Sequence, residues 1–211
     1  MRYKHFLLEG RANLVVDDDN YDEIIRTIRK DCQYYLNNVN KKYKRHPLFR
    51  GMKSEMIYDG ELGVVSVRKD RKPRGMNKYA YVFFNQWLES LGHSRRDKSI
   101  SVNINDKFAG IFGSIYVIFP IGKFDYTWAE TFDINYENRI WKPMEIEKMM
   151  WNGGAGESGY FDPELTEKYE KLIHTNKDIT KAISRGYEIW FNCEKYYIIT
   201  YDTFKEIKNE L

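Results

Sequence analysis

The sequence has little cysteine, histidine or proline, and each shortage narrows what the chain can be. Its two cysteines among 211 residues, Cys32 and Cys193, lie far apart and share no metal-type spacing, so they read as buried, idle thiols suited to a reducing cytoplasm. The four histidines, His5, His46, His93 and His174, also lack ligand spacing, and no metal site is expected. With only five prolines, no Pro- or Ser-rich linker, no repeat and no low-complexity segment, the sequence offers no domain boundary. It contains no P-loop and no nucleophile elbow. No apolar run approaches the length that crosses a bilayer, and Met1–Arg11 has no signal-peptide core. The expectation is a soluble, cytoplasmic protein without a membrane partner.

Aromatic residues, by contrast, are plentiful at 16%, which suits β-rich cores and stacking pockets for flat ligands. With 42% hydrophobic and 31% charged residues the chain is an ordinary globular one. A length of 211 residues favours one domain, 1–211, with 1–45 as an N-terminal helical region packed on it. The net charge of +3 says little, but basic residues gather locally. Lys41, Lys42, Lys44 and Arg45 form one group, Arg68, Lys69, Arg71, Lys72 and Arg74 a second, and Arg95, Arg96 and Lys98 a third. Such groups either contact phosphates or face solvent on loops and helix ends.

Apolar periodicity predicts a helix capped by Asp17–Asp19, with Ile24, Ile25, Ile28, Cys32, Tyr35, Leu36 and Val39 on one face. Strands are expected at Pro47–Met52, Leu62–Arg68, Lys98–Asn103 and Ser114–Phe119, and as a pair at Tyr187–Asn192 and Lys195–Thr200. Helices are expected near Lys78–Leu91, Lys107–Phe112 and Pro143–Trp151, from Asp162 to about His174, between Asp178 and Gly186, and over Asp202–Leu211. Short strands interspersed with helices suggest an α+β domain on a split, largely antiparallel sheet.

Three segments place a polar side chain where burial would be costly. In His46-Pro-Leu-Phe-Arg-Gly-Met52, Arg50 follows a phenylalanine and precedes a glycine that permits close backbone approach. A guanidinium fork there suits a pyrophosphate, and equally suits a carboxylate at a sheet edge. In Lys98–Asp106, alternation sets Ser99, Ser101 and Asn103 on one strand face, either as partners for a flat ligand or as an exposed face. In Ile183–Phe191, Glu188 opens an apolar strand after a glycine stop. A carboxylate there can stabilise positive charge developing at an anomeric carbon, or pair with a neighbouring Arg or Lys.

In this order the three segments resemble the Arg–Ser–Glu pattern of the mono-ADP-ribosyltransferases. Phe49-Arg50-Gly51 is similar to that family's first core strand. Ser99-Ile100-Ser101, Ala109, Phe112-Gly113 and Ile115–Phe119 are similar to its Ser-x-Ser strand and the helix and strand that follow. Glu188-Ile-Trp-Phe191 and Tyr196-Tyr-Ile-Ile-Thr200 resemble its catalytic strand pair. The resemblance spans Pro47 to Thr200 in outline. It implies an ADP-ribosyltransferase-like fold and an enzyme that cleaves NAD, as substrate and without a metal, and transfers ADP-ribose to a protein or nucleic acid. NAD glycohydrolase activity is the variant in which water is the acceptor.

The roles the resemblance implies are catalytic for Glu188, Arg50 and Ser101, and NAD-binding for Arg50, Gly51, Ser99, Ser101, Phe112 and Tyr116. Which of Ser99 and Ser101 is the motif serine stays open, because spacing to Ala109 favours the second and position in Ser-x-Ser the first. The arginine-modifying branch carries Glu or Gln two residues before its catalytic Glu, and Gly186 stands there, so a protein-arginine target is not implied. The segment Phe119–Phe124 with Trp128 is similar to uncharacterised proteins of tailed bacteriophages, which would make the chain toxin-like and place it in a host cytoplasm.

Other features have plainer readings. Gly154-Ala-Gly156-Glu-Ser-Gly159 matches G-x-G-x-x-G, but helix is expected before it, so it reads as a loop. Glu145-Ile-Glu147 reads as a solvated helix face, and the aromatics from Phe124 to Trp141 as core or stacking residues. Two competing readings are a non-catalytic nucleic-acid-binding protein and a phage virion or assembly protein that keeps the fold without its chemistry.

Overall fold

A computed structural model describes residues 12–16, 20–40, 46–53, 55–69, 71, 78–130, 167 and 170–211. The fold is α+β, with antiparallel sheets flanked by helices. The chain divides into two compact units, residues 1–68, 105–123 and 193–211 in the first and 69–104 and 124–192 in the second.

The first unit is built on a five-stranded sheet. Its strands are β1 (Asn13–Val16), β2 (Phe49–Met52), β3 (Leu62–Ser66), β5 (Ser114–Pro120) and β9 (Lys195–Thr200), in the order β1-β3-β9-β5-β2, with every pairing antiparallel. The two central strands are apolar on both faces. Val117, Ile118 and Phe119 of β5 and Ile198 and Ile199 of β9 are each no more than 1% exposed, as expected of strands covered above and below. Pro120 ends β5 without breaking the ladder. The Ile118 amide, two residues earlier, donates to the Leu48 carbonyl, so Pro120, of the same parity, turns its missing N–H toward the β2 side, beyond the last β2 pairing at Val117.

Helices cover this sheet. Helix α1 (Tyr21–Asp31) is capped by Asn20, whose side chain accepts from the Glu23 amide at 3.2 Å, and buries Ile24, Ile25 and Ile28. The cap expected from Asp17–Asp19 falls on residues outside those described. After Cys32, a short helical turn α2 (Gln33–Tyr35) runs into a π turn at Leu36–Asn40, which keeps Tyr35 and Val39 buried. Helix α4 (Asp106–Gly110) is capped by Asn105, one residue earlier than the expected Asp106. Helix α6 (Tyr201–Ile207) is capped by Thr200 and turns Phe204 and Ile207 inward.

The second unit carries a four-stranded antiparallel sheet of β4 (Ile100–Val102), β6 (Asp125–Ala129), β7 (Ile173–Thr175) and β8 (Ile189–Asn192), in the order β4-β8-β6-β7. Helix α3 (Lys78–Ser90) buries Phe84, Trp87 and Leu88, and a 3-10 turn, Arg96–Lys98, leads from it into β4. Helix α5 (Ile179–Arg185) ends at Gly186 in the left-handed region, φ 70°, a conformation glycine adopts without a Cβ clash.

One expectation is overturned. The helix foreseen as far as His174 gives way to β7 at Ile173–Thr175, because Ile173 and its neighbours complete the sheet against β6. Periodicity cannot see such tertiary demand. Of the two readings of the Ser99, Ser101 and Asn103 face, the exposed one does not hold: Ser99 is fully buried, Asn103 nearly so and Ser101 half-buried. The expected helix at Pro143–Trp151, the glycine-rich loop at Asn152–Gly159 and the basic residues 41–45 and 72–74 lie outside the described residues. Among the described residues no helix is long and apolar enough to cross a membrane.

Candidate active site

The best-defined polar constellation among the described residues lies in the second unit and centres on Glu188. Gly186 stops α5, the Tyr187 amide donates to the Ala182 carbonyl, and the chain then enters β8 with Glu188 just before its first residue. Asn103 fastens the same turn, its amide donating to the Gly186 carbonyl at 3.3 Å. These contacts fix the carboxylate at the root of an apolar strand, where it is only 5% exposed.

A buried carboxylate needs a counter-charge and donors, and Glu188 has both. Arg96 Nη2 donates to Glu188 Oε1 at 2.8 Å, and both side chains are more than nine-tenths buried. The Ser101 hydroxyl, on β4, lies near enough to the same carboxylate to favour its charged form. The Trp190 indole N–H lies near enough to favour the charged form, although it makes no hydrogen bond of ordinary geometry. Burial alone pushes the Glu188 carboxyl up. The Arg96 charge, followed by these polar neighbours, outweighs burial and holds it below its ordinary value.

Arg96 is itself held in a defined place. Its guanidinium carbon stands 5.2 Å from the centroid of the fully buried Trp190 ring, within the range of cation–π attraction. The 3-10 turn that carries it is pinned to α3, because the Asp97 amide donates to Asn85 Oδ1 at 3.1 Å while Asn85 Nδ2 donates to the Tyr81 carbonyl. Successive arginines of this turn point to different tasks. Arg95 makes a two-pronged contact with Asp97 and reaches Glu89 at 2.8 Å, whereas Arg96 turns inward to Glu188.

The remaining anticipated residues fall as follows. Ser99 Oγ donates to the Arg95 carbonyl at 2.6 Å, and its own carbonyl accepts from Arg71. Its hydroxyl therefore closes the turn, and Ser101 is the serine at the carboxylate. Arg50, Gly51, Phe112 and Tyr116 lie in the first unit. Arg50 faces Tyr116 across the β2–β5 ladder and is 8% exposed, and Tyr116 uses its hydroxyl to accept from the Met56 amide at 2.7 Å. The Arg50 charge partly opposes the burial that pushes the nearby Cys193 thiol up to about 12, so that thiol stays protonated and inert. A Cβ at Gly51 would fall 1.9 Å from the Ala109 carbonyl oxygen, so the glycine is what lets α4 close onto β2.

Arg96 was visible in the sequence only as one member of a basic triplet, and nothing in its spacing distinguished it from Arg95 or Lys98. Its one sequence signal was position, immediately before a strand with two serines. Of the third basic group, Arg95 and Arg96 are committed to carboxylates, whereas Lys98 stays half-exposed at 3.7 Å from Glu89. Among the described residues no group of three or more His, Cys, Asp or Glu side chains is arranged to hold a metal ion. No family model, no curated protein and no solved structure matches the chain.

Proposed function

We propose that the chain is an NAD-cleaving mono-ADP-ribosyltransferase in which Glu188 stabilises the developing ribosyl cation. One observation carries the reading: a carboxylate paired with Arg96 at 2.8 Å, with Ser101 close by, is kept in a site largely shielded from water and is held in its charged form. Charge in such a site acts on a nascent cation with far less screening than in solution, and it is already oriented when the reaction begins. Ser101 fixes the carboxylate rotamer, and Gly186 lets the chain turn sharply enough to deliver Glu188 at the strand's root. In the glycosyl transfer, the bond between the ribose carbon and the nicotinamide nitrogen breaks with its electron pair leaving on nicotinamide. The acceptor then bonds to that carbon and gives up its proton. Arg50 is assigned to the NAD phosphates by its resemblance to the family's first-strand arginine. The acceptor is a protein or a nucleic acid.

The test is transfer of labelled ADP-ribose from NAD to cell lysate, with and without nuclease, by wild type and Glu188→Gln. The variant is expected to bind NAD but to lose on the order of a hundredfold or more in rate, as is usual when one electrostatic stabiliser is removed. Undiminished transfer by Glu188→Gln would remove Glu188 from the chemistry.

The Arg96–Glu188 pair also favours a second reading. A carboxylate already satisfied by an arginine can be purely architectural, and the chain would then be a nucleic-acid-binding or virion protein that keeps the fold alone. Salt-dependent binding of RNA or DNA with no NAD turnover is the result that reading expects.

A further inference from the structure

Resting on the reading of Glu188 as the stabiliser of a ribosyl cation, we propose that Arg96 is its positioning residue, fixing the carboxylate's orientation and supplying the counter-charge that lets it stay ionised while buried.

The case is geometric. Arg96 contacts one oxygen of the carboxylate, Oε1, at 2.8 Å. Its position is set from both sides, by the stack on Trp190 and by the hydrogen bonds of Asn85 that pin the 3-10 turn to α3. The guanidinium is thus an organised charge rather than one recruited by Glu188. A buried ion pair adds little net stability compared with a well-packed apolar pair of similar size. Retaining both charges here is therefore better explained by what an ionised carboxylate does than by the strength of the fold.

The groups around the pair agree with this assignment. Ser101 from β4 and Trp190 from β8 lie close to Glu188, while Tyr81 from α3 lies within reach of the charges of Arg71, Arg96 and Asp97. Arg96 is the cation that contacts the carboxylate, and it lies close to Tyr81 and Trp190. Without it, burial would drive Glu188 toward its neutral acid. A neutral carboxyl cannot stabilise a cation, so the rate would fall even though NAD binding elsewhere in the site were intact.

The full chain, labelled with ¹³C at glutamate carboxyls and assigned by Glu188→Gln, is titrated as wild type, Arg96→Met and Arg96→Lys. Wild-type Glu188 is expected to titrate below the usual carboxylate range. Arg96→Met should move it up by about one to three pH units, and Arg96→Lys by less, since lysine keeps the charge but not the fork. In parallel, NAD cleavage should lose at least about tenfold in kcat with KM held within about twofold, and the acid limb of the kcat profile should shift upward with the Glu188 titration. A Glu188 signal that does not move in folded Arg96→Met overturns the proposal whatever the activity. A loss confined to KM overturns it as well. If wild type cleaves no NAD yet the titration moves as described, the functional reading fails and the hold of Arg96 on Glu188 stands. Should Arg96→Met not fold, Arg96→Lys decides by the same titration, and a Glu188 signal there indistinguishable from wild type, with normal kcat and an unshifted acid limb, would show that the guanidinium fork is not needed.

Discussion

The two units of this chain bury different things. Of the nine buried polar or charged residues among those described, Asn85, Ser94, Arg96, Ser99, Asn103, Thr127 and Glu188 belong to the second unit, and Arg50 and Thr203 to the first. Among the described residues the three fully buried tryptophans, Trp87, Trp128 and Trp190, are also in the second. The first unit is held by aliphatic and aromatic side chains with few buried polar groups and by close backbone approach, the second by tryptophan-rich packing with polar groups threaded through it. A dry core can be repacked with modest loss, whereas a threaded one fails when a single partner is withdrawn. On the reading proposed for Glu188, the reacting carboxylate belongs to the threaded core.

The largest effect that would break this comparison is loss of one charge. Arg96→Met should destabilise the protein by about 3–5 kcal/mol in urea unfolding, because the buried Glu188 loses its counter-charge and must either stay ionised without it or take up a proton. The paired change Arg96→Met with Glu188→Gln should recover most of that loss. A paired variant no better than the single one would mean that the charges are not coupled.

Next comes Gly51→Ala in the first unit. The added methyl meets the Ala109 carbonyl, a backbone atom that cannot swing aside, so a loss of about 3 kcal/mol is expected by the same unfolding measurement. A silent substitution would show that α4 is free to lift from β2. A smaller effect awaits Ile198→Val on β9, about 1 kcal/mol, as usual for one methylene from a packed aliphatic core. A cost above about 3 kcal/mol there, well beyond that usual range, would erase the distinction drawn between the two cores.

The smallest effect is in pH. Burial lowers His93 from its ordinary value of 6.5, so the unfolded chain takes up the proton first. Stability from this group is complete above about 6.5 and drains away as pH falls toward the lowered folded value. Glu188 has the same sign at lower pH: its folded value is depressed below 4.5, and its contribution is lost as pH falls from there through that value. Thermal unfolding followed from about pH 7 to about pH 3 should show both losses, and His93→Gln should remove the earlier one.

Much of the architecture was readable in the residues, for identifiable reasons. Strands β3, β5, β8 and β9 announce themselves through β-branched and aromatic runs, and α1 and α3 through their apolar faces and glycine or polar boundaries. Strand β1 was not foreseen, since Asn13–Val16 is four residues beside an acidic run, too short for a period to register. Strand β7 was hidden by the helix start read at Asp162–Pro163, whose extension to about His174 its pairing with β6 overrides. In the site, Glu188 and the serine pair were legible because a polar residue inside an apolar strand needs a reason. Their partner was not. Whether Arg95 or Arg96 turns inward is decided by a 3-10 turn anchored on Asn85, twelve residues before Asp97, and no local pattern encodes that.

The guanidinium of Arg96 lying over the Trp190 ring has a consequence for observation rather than for chemistry. Indole emission responds to nearby charge, so the chain carries its own lamp beside the carboxylate. With Trp87, Trp128, Trp141 and Trp151 replaced by phenylalanine, any ligand that tugs the arginine aside should change the colour or brightness of Trp190, reporting occupancy without a label.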